Sequence, residues 1–170
     1  EAALRESEAR SRAITQSAYE AIITSDSAGN IGGWNRGAEI IFGYTEAQAM
    51  GQPMTLLIPE RYRERHLAGM HRLRSGAELR LAGKMVELHG LRQDGSEFPL
   101  TLTLARWESA GGWFVTAIIA DISERKRQEQ LLESSEQRFR GLVEQSLTGI
   151  YITQDGVFLY ANPRLEEVLG

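Results

Sequence analysis

Few side chains in this sequence have the type and setting for chemistry, and His66 is the sharpest of them. Tyr62, His66, Gly69, Met70 and Leu73 are spaced to share one apolar face of a helix. Arg61, Arg63, Glu64, Arg65, Arg72 and Arg74 take the wet side. A histidine on an apolar face is either a packed structural residue, the commoner case, or a neutral imidazole able to ligate a metal. His71 and His89 fall at polar positions and are expected in solvent. Glu39, Glu46, Asp94 and Asp121 are scattered carboxylates without acid–base pairing, and no nucleophile motif accompanies them. Gly32-Gly33 and Gly111-Gly112 lie in strand and turn patterns, not ahead of a helix as a phosphate loop requires. There is no cysteine, which removes disulfides, zinc-thiolate sites, thiol nucleophiles and cysteinyl-flavin photochemistry. These residues point to binding rather than catalysis, and no enzyme activity is expected of this chain.

The elements that must position His66 follow from the rest of the chain. A length of 170 residues suits one domain with something added. With 42% hydrophobic and 25% charged residues, the composition is that of a soluble globular protein. A net charge of −4 offers no basic face for nucleic acid. No apolar run reaches membrane-spanning length, so the expected setting is cytoplasmic, without membrane contact. The chain begins at Glu1, reads as a fragment, and leaves an upstream membrane segment open.

A polar helix with spaced Leu4 and Ile14 is expected over 1–19, paired with another helix. Strands follow over 21–26 and 31–34, then a helix capped by Asn35 and stopped by Gly43, and a short helix from Thr45. Residues 53–57 read as irregular, and the His66 helix runs from Pro59 to about Arg74. Three strand patterns close the unit over 84–92, 97–107 and 113–121. Asp94-Gly95 turns the first of these into the second, and Phe98, Leu100, Leu102 and Leu104 share one face. The fold class is α+β, a five-stranded antiparallel sheet with short helices on one face.

At Ala120-Asp121-Ile122-Ser123-Glu124-Arg125-Lys126 a buried strand passes into a charged helix almost without a loop. Asp121 is placed to cap that helix, with Glu124 closing a capping box. The chain also repeats. Ser7-Glu8-Ala9-Arg10 returns as Ser135-Glu136-Gln137-Arg138, and Ala21-Ile22-Ile23-Thr24-Ser25-Asp26 as Gly149-Ile150-Tyr151-Ile152-Thr153-Gln154. The run from Asn35 to Gly43 returns from Asn162 to Gly170, with one gap needed. The expected division is a helix over 1–19, a complete domain over 20–122, a linking helix over 123–138, and a truncated second domain over 139–170. Leu132, Phe139 and Ser146, with Ser135 or Glu136 and Leu142 or Val143 between them, form a partial heptad suited to a parallel dimer.

Residues 17–127 resemble a PAS domain. The resemblance rests on Asn35-Arg36-Gly37-Ala38-Glu39 with Phe42-Gly43-Tyr44, and on Gly51-Gln52-Pro53 with Leu57-Ile58-Pro59-Glu60. It continues through Leu91-Arg92-Gln93-Asp94-Gly95-Ser96-Glu97-Phe98-Pro99 to Ile118-Ile119-Ala120-Asp121-Ile122-Ser123-Glu124-Arg125-Lys126. Residues 139–170 look like the opening of a second such domain. The resemblance implies a bacterial sensor that dimerises and relays the state of its pocket, with or without a small ligand, to a linked output domain. Such outputs include histidine kinases of two-component systems and cyclic-di-GMP enzymes. Asp121, Ile122, Ser123 and Glu124 would carry the relay. Haem-binding members of the family place an axial histidine where His66 stands and a propionate-pairing arginine where Arg72 stands; Met70 and Val86 would line that pocket. Val86 replaces the arginine that steadies oxygen in those sensors, and Met85 points away by alternation. A third implied role is a ligand-free spacer that sets dimer geometry. Trp34, Trp107 and Trp113 give no flavin-specific spacing and are expected to pack.

Overall fold

The computed structural model describes the backbone of residues 2–169 and the side chains of 6, 7, 9–11, 13–165 and 167. Leu4 and Glu8 of the first-helix pattern, and Glu166, Val168 and Leu169 of the second repeat, therefore have side chains outside the described residues. Glu1 and Gly170 lie outside them altogether. The chain forms two compact units, 1–123 and 124–170.

The first unit opens with α1 (Ala2–Ser17), then β1 (Ala21–Ser25) and β2 (Ile31–Trp34). Next come α2 (Arg36–Phe42), α3 (Glu46–Ala49) and α4 (Glu60–Arg74), followed by β3 (Val86–Leu91), β4 (Glu97–Ser109) and β5 (Gly112–Asp121). The five strands form one antiparallel sheet in the order β2-β1-β5-β4-β3. The expected α+β architecture is present. Met54–Leu57, read from sequence as irregular, is a single 3-10 turn after Pro53, whose ring presets the backbone for such a turn. Beyond Ser123 runs α5 (Ser123–Glu144), then β6 (Tyr151–Gln154), β7 (Val157–Ala161) and α6 (Pro163–Leu169). The α5 helix has no break at residue 138; it continues to Glu144, so Ser146 of the partial heptad lies past its end.

Local chemistry fixes the helix ends. Asn35 accepts from the Ala38 amide at the start of α2, and Gly43 ends that helix at φ 83, a left-handed conformation without cost for glycine. Thr45 and Gln48 form a reciprocal capping box on α3. The inner face of the sheet carries Ala21 and Ile23 on β1, Val115, Ala117 and Ile119 on β5, and Phe98 and Leu100 on β4, all buried. Against them pack Ala38, Ile41, Phe42, Ala49 and Leu57. Phe42, 1% exposed, lies 5.9 Å from the Trp34 ring and 5.4 Å from the Phe98 ring. Truncating such a residue costs about 3–5 kcal/mol, so this aromatic trio anchors the helical layer on the sheet. A smaller cluster joins Met70 and Leu73 of α4 to Val115, with Leu79, Leu104 and Trp113 around it.

Candidate functional site

The face expected on α4 exists. Met70 and Leu73 are buried, while Tyr62, His66 and Gly69 are half-buried. Arg61, Glu64, Arg65, Arg72 and Arg74 are exposed; Arg63 is half-buried and its Nε donates to the Ile58 carbonyl at 3.0 Å. Two further arginines pin the helix at its ends. Arg61 pairs with Glu97 at 2.6 Å, and Arg74 donates to the carbonyls of Ser27 and Ala28. Burial pushes the His66 imidazole below its ordinary pKa of 6.5, so it is neutral near pH 7. Its ring has no hydrogen-bond partner among the described residues, and a neutral imidazole with a free nitrogen is what metal ligation requires. Arg72 folds back so that its guanidinium lies close to Gly69. Val86 is half-buried on the inner face opposite Leu102, where it offers no donor. Met85 is 74% exposed and Met70 is committed to core packing. His66 is the residue that would hold a haem iron, but Arg72 stays on the exposed side of α4 with only its guanidinium near Gly69, and Val86 supplies no polar group. His71 and His89 are both exposed, as their positions predict.

The strand-to-helix joint is built differently from the expected capping box. The Asp121 carboxylate accepts from the Ser123 amide at 2.8 Å and the Ser123 hydroxyl at 2.6 Å, a turn closed two residues on. Glu124 reaches forward along the helix to Arg127 and Gln128 instead of back to Asp121. The physical reason is that Ile122 stays with the sheet: its amide donates to the Pro99 carbonyl and its side chain is 8% exposed. The helix therefore starts at Ser123. Burial raises the Asp121 pKa, but hydrogen bonds from Ser123 and Arg92 outweigh it and leave the carboxyl below its usual range.

Arg92 is the residue that sequence reasoning passed over. Its guanidinium pairs with Asp121 at 2.5 Å, donates to the Ile41 carbonyl near the end of α2, and stacks 3.8 Å above the Phe98 ring. Both charged side chains are about three-quarters buried, at 24% and 26% exposure. One side chain thus joins the helical layer, the core aromatic and the joint. The available sign was an arginine beside the Asp94-Gly95 turn, which by pattern alone is indistinguishable from a solvated one.

Trp34 is buried and donates to the Tyr44 carbonyl at 3.1 Å. Trp113 lies under Arg106, and Trp107 stacks on Phe114 on the outer face of the sheet. All three tryptophans pack against protein. Among the described residues, no three His, Cys, Asp or Glu side chains cluster to hold a metal ion, and no helix is long and apolar enough to cross a membrane.

A family model described as "PAS fold" matches residues 9–122, and one described as "PAS domain" matches residues 137–170. Among curated proteins, the Sensor protein FixL of Bradyrhizobium diazoefficiens is 32% identical over 78% of this chain and 26% of its own length. The Oxygen sensor protein DosP of Escherichia coli is 27% identical over 57% of this chain and 12% of its own. The chain thus spans about a quarter or less of these relatives. Among solved structures, a PAS domain from Colwellia psychrerythraea superposes with TM-score 0.58 at 23% identity, covering 69% of this chain and 97% of that one. A PAS domain of an HTR-like protein from Haloarcula marismortui gives 0.54 at 23%, covering 70% and 94%. Both show the fold.

Proposed function

Because the chain belongs to the PAS family, we propose that it is the sensory and dimerisation part of a longer signalling protein. In this reading 1–19 is an incoming helix, 20–122 the sensory domain, 123–138 the linking helix and 139–170 the opening of a second domain. We infer that the space α4 covers on the sheet takes a small ligand or only side chains, and that its state reaches a linked output domain, a histidine kinase or a cyclic-di-GMP enzyme, through the joint from Asp121 to Glu124. The observation that carries this is the Arg92 bridge: a shift of α2 against the sheet pulls on Ile41, and the same guanidinium holds the carboxylate that starts α5. The outgoing helix leaves Leu132, Phe139 and Leu142 at 63%, 59% and 76% exposure, a stripe suited to a second copy.

The absence of cysteine makes the test clean. A single spin label at Glu136, with and without Asp121→Ala, reads the spacing of α5 between copies. The relay requires a dimer whose label spacing changes when the Arg92 bridge is cut. A monomer at tens of micromolar, or spacing indifferent to Asp121, would refute it. In the full-length protein, output that still answers its stimulus in Asp121→Ala would refute it equally.

A second reading is supported by the unpartnered, neutral imidazole of His66 together with the named oxygen sensor among the relatives. Here His66 ligates haem iron and Arg72 pairs with a propionate; the haem supplies the metal that binds a gas. A Soret band after haem supplementation, lost in His66→Ala, supports this reading. Protein that stays colourless ends it.

A further inference from the structure

Each of the two units contains, by itself, the same side-chain network, and the Asp121 joint uses neither copy. Asn35 is 3% exposed and Asn162 0%, so each is a fully buried polar side chain. Asn35 Oδ1 accepts from the Ile22 amide on β1 at 2.8 Å and from the Ala38 amide in α2 at 2.9 Å. Its Nδ2 donates to the Thr15 carbonyl in the last turn of α1 at 2.8 Å and to the Glu20 carbonyl at 3.0 Å. Asn162 does the same. Oδ1 accepts from Ile150 at 2.8 Å and Leu165 at 3.1 Å, and Nδ2 donates to Val143 in the last turn of α5 at 2.8 Å and to Thr148 at 3.0 Å.

The sequence offsets are 13, 3, 20 and 15 for Asn35 and 12, 3, 19 and 14 for Asn162. Every offset that spans the hairpin shortens by one residue, and the one that does not is unchanged. The network is therefore preserved across a deletion in the turn, which a fortuitous contact would not survive. Each amide uses both acceptor sites and both donors, and flipping it would set donors against donors and carbonyls against carbonyls. A helix end leaves carbonyls unpaired, and here the following domain supplies the donor. In the first unit two further contacts reinforce the attachment. Gln16 Oε1 accepts from the Arg36 amide at 2.8 Å, and Gly37 comes so close to the 18–20 segment that a Cβ would fall 2.1 Å from the Glu20 oxygen.

We propose that Asn35 and Asn162 are equivalent positioning residues, each locking the end of its preceding helix in register with the first strand and first helix of its domain. Displacement of the helix then passes into β1 or β6 instead of being absorbed by the linker. A cap alone needs only the oxygen; the donor side of the amide is what holds the helix. This attachment goes beyond the sensory reading and stands whether or not the Asp121 joint relays anything.

The donor side can be removed separately. Asn35→Asp and Asn162→Asp keep the acceptors and lose the amide donors. Amide hydrogen exchange of the intact chain should show Ile22 and Ala38 protected within about threefold of wild type in Asn35→Asp. Protection of the final turn of α1 should fall at least about tenfold. The same split should appear in Asn162→Asp between Ile150 and Leu165 on one side and the end of α5 on the other. Unchanged protection of the helix ends would overturn the proposal. Should a variant fail to fold, the wild type still decides. The side-chain NH2 protons of Asn35 and Asn162 should exchange at least about 100-fold more slowly than those of Asn30, the third asparagine. Rates equal to Asn30 would overturn it.

Discussion

Cutting the bridge between Arg92 and Asp121 should cost more than an ordinary surface ion pair and less than a buried one. Exposed pairs contribute about 0–1 kcal/mol, and breaking a fully buried pair costs about 3–5 kcal/mol. With side chains 24% and 26% exposed at 2.5 Å, discounting for solvent screening gives a mutual interaction of about 1.5 kcal/mol. Asp121→Ala also forfeits the Ser123 turn, about 1 kcal/mol, for a total near 2.5. Arg92→Ala loses the Ile41 carbonyl bond and the Phe98 face, again about 1 kcal/mol beyond the pair. The double variant should lose about 3.5 kcal/mol, leaving a coupling near 1.5. Urea rather than guanidinium is the denaturant, because added salt screens the pair. Tryptophan fluorescence is the probe, since Trp34, Trp107 and Trp113 all lie in the first unit and none in the second. A coupling below about 0.5 kcal/mol at unchanged m would mean that Arg92 and Asp121 are only neighbours, and the bridge argument would fail. Because Asp121 titrates below its ordinary range, the coupling should be full above the usual carboxylate pKa of 3.8, decline below it as the unfolded chain takes up the proton first, and be gone once pH has fallen through the lower folded value.

Other substitutions test other parts. Replacing His66 by leucine should flatten the pH dependence of stability: the folded imidazole titrates below 6.5, so the unfolded chain binds more protons and wild-type stability falls as pH drops below that value. Urea midpoints at about pH 7.5 and 5 measure this, and an equal slope in both proteins would contradict it. Gly37→Ala should destabilise the first unit by about 2–3 kcal/mol, because its Cβ would meet backbone that cannot yield. A thermal midpoint within 2 °C or so of wild type would refute that packing. Leu132→Glu with Phe139→Glu should convert a dimer to a monomer in sedimentation equilibrium while circular dichroism stays unchanged; a persisting dimer would move the interface elsewhere.

Much of this architecture is legible in the sequence because its determinants are local. Asn35, Gly43 and Asp94-Gly95 mark ends and turns through chemistry confined to a few residues, and the alternation from Phe98 to Leu104 declares its face. The His66 face is equally local, since helical spacing alone assembles it. What stayed hidden depends on register between distant segments. Arg92 and Asp121 are 29 residues apart and meet because β3, β4 and β5 pair as they do. Asp121 looks like a helix cap until the sheet claims Ile122 through Pro99 and moves the helix start by one residue. Asn35 reads as a cap for the same reason: its second role needs the Thr15 carbonyl, 20 residues earlier.

The placement of β1 beside β5 has an architectural consequence. Ala21, the first residue of the sheet, pairs with Ile119, two residues from the end of its last strand. The chain therefore enters and leaves the first unit through adjoining strands, so the two ends of the fold are neighbours although about 100 residues separate them. A unit with neighbouring ends can be spliced into a host polypeptide while barely widening the gap between the flanking segments, and it can be copied in series without redesign. The fold is thus built like a cassette, with both of its terminals side by side on adjoining strands.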